Sequence, residues 1–294
     1  MNKYFAILLI VFIFTTAAGQ TKTDLQKLVE TEIAFAAAAE VKGTKAAFLE
    51  FLADDGLIFR PEARNGKDFW ETQSPSISLL SWSPAWADVS SDGSLGYTTG
   101  GWALYPKGRS EAPTVFGEYV TIWKKQENGV YRAVLDIGIS HPKPEENVSK
   151  SSLASSRTAA AWKSPDDAGA GETKIQSKVT INHLTDIFSK RYLSDSLFRY
   201  LATDAIVLRE GHMPFVGKTK AFLELEKYER NFPLEGYLNF DGKISEKYGN
   251  MMYAYGVYKL TYDDKTVSRW NFLQIWKYRE NRWQIVLDLF APLK

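Results

Sequence analysis

Residues 122–142 read IWKKQENGVYRAVLDIGISHP, and residues 275–294 read IWKYRENRWQIVLDLFAPLK. Aligned, Ile122, Trp123, Lys124, Glu127, Asn128, Val134, Leu135 and Asp136 fall on Ile275, Trp276, Lys277, Glu280, Asn281, Val286, Leu287 and Asp288, with one residue of difference in the turn. Each passage is an apolar-rich run, a polar turn and a second β-branched or aromatic run, the signature of a β-hairpin. A chain that writes one hairpin twice is expected to hold two copies of one unit.

The match extends upstream. YTTGGWALYP at 97–106 resembles YAYGVYKLTY at 253–262, both strands with a central glycine. DDGLIFRPEARNGKDFW, starting at Asp54, matches TDAIVLREGHMPFVGKTKAFL, starting at Thr203. The two share an Asp, a short apolar strand, an Arg and a Gly-Lys that opens a helix. TDLQKLVETEIAFAAAAE begins with Thr23 three residues before Gln26, a capping-box spacing. It then carries Leu25, Leu28, Val29, Glu32 and Ala36 at helical spacing. TKAAFLEFLADD reads as a second, shorter helix after Gly43, and VTINHLTDIFSKRY and DSLFRYLATDA answer in the second half. Each copy is then helix, helix, short strand, short helix and a run of antiparallel strands, an α+β unit. Residues 146–177 are rich in Ser, Ala, Gly and Lys without periodicity and read as a linker. Its Trp162 is either a docking anchor or a residue partly covered by a neighbouring domain. The expected organisation is a leader at 1–19, a first domain at 20–145, the linker, and a second domain at 178–294.

Composition sets outer bounds. A chain of 294 residues suits two domains, each able to bury a core. The net charge of +1, from 36 basic and 35 acidic residues, gives no field that would gather nucleic acid, an anionic membrane or an acidic substrate. MNKYFAILLIVFIFTTAAGQ has a basic start at Lys3, an apolar run over 4–14, and small residues Ala17 and Gly19 before Gln20. It reads as a secretion signal, since the run falls short of the roughly 20 residues that span a bilayer. An exported protein, periplasmic or secreted, without an integral membrane segment after cleavage is expected. Cysteine is absent, so no disulfide framework, thiolate nucleophile or thiolate metal site is available.

The helical starts, the G-x-W/Y strands at Gly100 to Trp102 and Gly256 to Tyr258, and above all the closing IWK…V-L-D hairpins resemble the nuclear transport factor 2-like superfamily. The closest likeness is to its SnoaL-like branch, also called domain of unknown function 4440. The resemblance covers about 120 residues in each half and implies two cones, each a curved antiparallel sheet wrapped on helices with a pocket at the open end. It also implies that the domains pair through their sheets as an internal pseudo-dimer. Members include isomerases, dehydratases, hydrolases and binding proteins, so the fold does not fix an activity.

Strand alternation suggests which residues face a pocket. Glu118 shares a face with Val120 and Ile122, opposite Tyr119, Thr121 and Trp123; Asn271 sits with Leu273 and Ile275, opposite Phe272, Gln274 and Trp276. The more uniformly apolar face is expected to meet the helices, which would put Glu118 and Asn271 near the cone mouths. Asp136 and Asp288 interrupt apolar strands. Each is either a general acid or base with a raised pKa, or a structural carboxylate paired with an arginine. Arg60 and Arg209 follow equivalent strands and suit an anionic group or those aspartates. Around them the copies diverge, with Glu62 and Arg64 in the first and Glu210 and His212 in the second. His212 is either a proton-moving partner of Asp288 or a surface-loop residue. His141 and His183 are scattered, so no metal is expected, and no nucleotide or serine-hydrolase motif implies a cofactor. Trp102 and Tyr258 are candidate pocket walls. The first functional expectation is a module that binds a small, largely apolar ligand or a protein partner. The alternative is an acid–base enzyme using a pocket carboxylate.

Overall fold

The computed structural model of the chain describes residues 22–145, 193–229, 237–245, 248–262 and 265–293. The leader, the linker with Trp162, the helix expected over 179–192 and its His183 lie outside the described residues.

In the first unit, α1 (Asp24–Lys42) opens on the expected capping box: Thr23 Oγ1 accepts from the Gln26 amide and the Thr23 amide donates to Gln26 Oε1. α1 turns at Gly43 into α2 (Thr44–Phe51), followed by β1 (Leu52–Phe59), β2 (Ala63–Asn65) and α3 (Gly66–Thr72). Then come β3 (Leu79–Trp82), β4 (Trp86–Val89), β5 (Leu95–Arg109), β6 (Val115–Lys125) and β7 (Tyr131–His141). The second unit follows the same order with α4 (Leu193–Tyr200), β8 (Leu201–Arg209), β9 (Phe215–Val216), α5 (Lys218–Glu229), β10 (Tyr237–Ile244), β11 (Met251–Tyr262), β12 (Lys265–Arg279) and β13 (Arg282–Pro292). Both second helices stop earlier than their sequence pattern suggests, because residues 52–55 and 201–204 enter the sheets. Tertiary pairing overrides local helix propensity there, and Gly56 marks the close approach: a Cβ on it would lie 2.7 Å from the Ala133 carbonyl oxygen.

The class is α+β, with one sheet per unit. The first is ordered β2-β1-β7-β6-β5-β3, with β4 also on β5; the second is ordered β10-β11-β12-β13-β8-β9. The sheets are not wholly antiparallel, as expected from sequence, but mixed. β1 runs parallel to β7 and β8 parallel to β13, because the chain returns to each first strand only after a helix and several other strands. The registers coincide. Asp136 pairs with Thr121 and Ile58; Asp288 pairs with Gln274 and Val207. The ladder shifts between Ile122 and Trp123 in one copy and between Ile275 and Trp276 in the other, a bulge that re-aims the residues after it.

Helices cover one face of the first sheet, where Phe35 of α1 and Phe48 of α2 pack with Trp123, Tyr131 and Ala133. The other face carries Tyr97, Val120, Ile122, Leu135, Ile137 and Ile139, which join the second unit's Leu273, Ile275, Leu287 and Leu289 in one apolar cluster. β5 lies against β11 and β7 against β13. The expectation that the Val120 and Ile122 face meets the helices is therefore corrected. The second sheet covers it, and the helices take the face whose indole and phenol rings fill the space over the bulge.

Across this interface Asp88 accepts from Lys277 Nζ at 2.6 Å and Arg279 Nη2 at 3.0 Å. Asp88 and Lys277 are fully buried. The Ser91 amide donates to Asn250 Oδ1, Asn271 Nδ2 donates to the Pro61 carbonyl, and Arg269 pairs with Glu62. Glu118 and Asn271 thus sit on the inter-sheet side, not at a cone mouth, and Glu62 belongs to an inter-unit ion pair rather than a pocket. No helix among the described residues is long and apolar enough to cross a membrane.

Candidate functional site

The helix-facing side of the first sheet encloses a cavity of about 670 Å³. Phe48 and Leu49 of α2 and Trp70 of α3 form one wall; Trp102 and Leu104 of β5, Tyr119 of β6, and Asp136 and Gly138 of β7 form the other. Strand β7 makes this possible by alternating: Leu135, Ile137 and Ile139 are buried between the sheets, while Asp136, Gly138 and Ser140 face the cavity. Three sequence candidates therefore meet here: Asp136, Trp102 and Arg60, the last among the residues lining the cavity.

Thr121 Oγ1 donates to Asp136 Oδ2 at 2.7 Å, directly across the β6–β7 ladder. Burial pushes the Asp136 carboxyl above the usual carboxylate range, and the Thr121 hydroxyl and the Arg60 charge only partly offset it. Tyr119 stands two residues before Thr121, on the same face. The Thr98 hydroxyl near it is already donating to Glu32 and accepting from Trp123 Nε1, and the phenol oxygen makes no hydrogen bond among the described residues. Burial, with the nearby Glu32, Glu118 and Asp136 carboxyls, raises the phenol well above its ordinary value, so it stays a neutral donor.

Glu32 was not a candidate on sequence, and it is a further buried carboxyl of this unit besides Asp88 and Glu118. It lies on the apolar face of α1, fully buried, and accepts from Trp82 Nε1 at 2.6 Å, Trp123 Nε1 at 3.2 Å and the Thr98 hydroxyl. Burial raises its pKa to about 7 against those three hydrogen bonds. The available signal was a carboxylate inside the Leu25, Leu28, Val29, Ala36 stripe.

The second unit fills the same positions differently. Arg209 Nη2 donates to Asp288 Oδ2 at 2.5 Å, Gln274 Nε2 donates to Oδ1 at 2.7 Å, and both members of the ion pair are buried. Phe290 stands where Gly138 stands in the first unit, two residues past the repeated aspartate. The Arg209 guanidinium lies 4.4 Å above its ring, and Tyr258 and Phe272 pack on it. By register, Tyr258 and Phe272 are the counterparts of Trp102 and Tyr119. Asp288 is paired with Arg209, the arginine that follows the equivalent strand, and not with His212, whose ring packs on Phe215 and Tyr228. Glu210 accepts from the Ser140 amide at 2.8 Å, tying the turn after β8 to the end of β7. His141 lies 3.6 Å from Glu118, on the sheet face turned away from the cavity.

Each unit has two helices, an edge strand, a short helix and a sheet whose parallel closing pair carries the aspartate. This is the arrangement that the resemblance to the nuclear transport factor 2-like superfamily implies. Solved structures similar to this chain include a protein provisionally assigned as a ketosteroid isomerase from Parabacteroides distasonis (12% identity, 43% of this chain and 94% of that one, TM-score 0.34). A nuclear transport factor 2-like protein of unknown function from Pseudomonas putida matches at 11% identity over 41% of this chain and 89% of its own, TM-score 0.35. A protein of unknown function with a cystatin-like fold from Nostoc punctiforme matches at 8% identity over 42% and 95%, TM-score 0.35. No protein-family model matches the chain, and no curated protein matches it.

Proposed function

We propose that the chain is an exported binding protein whose first unit holds one small, largely apolar molecule, and whose second unit braces that site. The observation that carries this reading is the cavity lined by Trp102, Asp136 and Gly138, whose counterparts in the other copy are Tyr258, Asp288 and Phe290. Its aromatic and aliphatic walls, interspersed with polar and charged side chains, are those of a ligand site, and its volume is that of one small organic molecule. Export rests on the leader in the sequence.

The test is native mass spectrometry of the protein purified gently from its own host, followed by denaturation to release what it carries. One organic molecule per chain is expected, and none in Gly138→Phe, which copies the second unit's residue into the first. A cavity empty in the unaltered protein under these conditions, and equally unable to take up apolar probes, would remove the reading.

Asp136 favours a second reading, acid–base catalysis on that ligand, because it is a half-buried carboxyl in the cavity wall that accepts from Thr121 and has a raised pKa. Asp136→Asn should then abolish turnover of the released molecule while leaving its binding intact. Undiminished turnover would leave Asp136 as a binding group only.

A further inference from the structure

Two of the cavity's three cations make no ion pair among the described residues. Lys42, Lys45 and Arg60 line it, and Asp136 is the one acidic residue beside them. Lys42 is neutralised by Glu50 at 2.7 Å. Lys45 Nζ is held by the carbonyls of Glu71 and Gln73, at 2.9 and 2.6 Å, which fix its position without cancelling its charge. Arg60 donates one side-chain hydrogen bond, to the Phe59 carbonyl at 2.8 Å, and makes no ion pair among the described residues. Its counterpart Arg209 follows the same strand in the same register, makes the same bond to the preceding carbonyl, and spends the rest of its fork on Asp288. In the first unit the arginine is exposed and the aspartate half-buried, and both line the cavity.

We propose that the molecule this cavity takes is an organic anion: an apolar body lodged against Trp70 and Trp102, ending in a carboxylate, sulfonate or like group bound by Arg60, with Lys45 a second cation on the cavity wall. The proposal rests on the reading of the cavity as a binding site. A planar guanidinium with free N–H groups at the edge of an apolar cavity matches a planar or trigonal oxyanion with two parallel hydrogen bonds. A neutral ligand would instead cover the guanidinium and supply no counter-charge. The net charge of +1 gives no long-range attraction for an anion, so recognition is local, set by these two residues.

The test uses two fluorescent probes that share one body: 8-anilinonaphthalene-1-sulfonate, which is anionic, and N-phenyl-1-naphthylamine, which lacks the sulfonate. The sulfonate is expected to bind the mature chain at least ten-fold more tightly. Arg60→Gln should erase that preference, weakening the sulfonate about ten-fold and leaving the neutral probe unchanged, and Arg60→Lys should restore part of it. Equal affinities for the two probes, or a sulfonate affinity indifferent to Arg60→Gln, would overturn the anion proposal while leaving the cavity intact as an apolar site. Gly138→Phe, and Ala46→Trp from the α2 wall, should exclude both probes. If both probes bind these filled variants as well as the unaltered chain, they bind elsewhere, and the cavity reading falls as well.

Discussion

Asp136 and Asp288 stand on the same rung of the same ladder, one opposite Thr121 and the other opposite Gln274, yet they live in opposite surroundings. Asp288 is closed in by a buried arginine, an amide and the ring of Phe290; Asp136 has one hydroxyl donor and an open cavity beside a glycine. β13 is buried on both faces from Trp283 to Ala291, whereas β7 alternates. The two copies thus differ at matched positions: one has the Phe290 ring and the Arg209–Asp288 ion pair, and the other has Gly138 and an exposed Arg60 beside the cavity.

If that contrast is right, the two arginines differ most. Arg209→Met leaves Asp288 buried without a counter-charge and should cost up to about 5 kcal/mol of stability, whereas Arg60→Met, at the cavity rim, should cost less than about 0.5 kcal/mol. Urea denaturation of the pair decides it, and equal midpoints would break the comparison. Phe290→Ala comes next. Losing a buried ring should cost about 4 kcal/mol and open a second apolar space, so the stoichiometry of N-phenyl-1-naphthylamine should rise from one per chain to two. A value that stays at one would mean that Phe290 is not what closes the second copy.

The third effect concerns the polar side of the first core. Trp123 Nε1 donates to Thr98 and Glu32; Trp276 Nε1 makes no hydrogen bond among the described residues, and Ala254 holds the place of Thr98. Glu32, with a folded pKa of about 7 against an ordinary 4.5, keeps its proton in the folded chain where the unfolded chain has released it. Its stabilising share is therefore complete below about pH 4.5 and is lost as the pH rises toward 7, a fall on the order of 3 kcal/mol. Glu32→Gln should flatten that stretch of the stability–pH curve. An unchanged slope would mean that another group carries it.

Much of this was legible in the sequence because it is written locally. The repeated hairpin, the Thr23 cap and the glycine at the centre of β5 and β11 depend on neighbours a few residues away, and all three are present. The covering of each sheet face was not legible. Val120 and Ile122 alternate with Tyr119 and Trp123, so both faces of β6 are hydrophobic, and alternation separates two faces without saying what lies on either. Glu118 and Asn271 were misplaced for that reason. Asp136, Arg60 and Trp102 were found because they interrupt or end apolar strands. Gly138 was missed, although carrying the alignment two residues past the repeated aspartate sets VLDIG beside VLDLF and exposes it.

The Asp88 and Lys277 pair, closed over by both sheets, also bears on how such a chain can change. Separated, each half would expose an apolar sheet face and strand one charge of the pair, so neither half is free to become a protein in its own right. Either copy can lose a role of its own and still be retained by selection, because the other cannot fold well without its partner surface. Duplication followed by such mutual burial turns a spare domain into a permanent one.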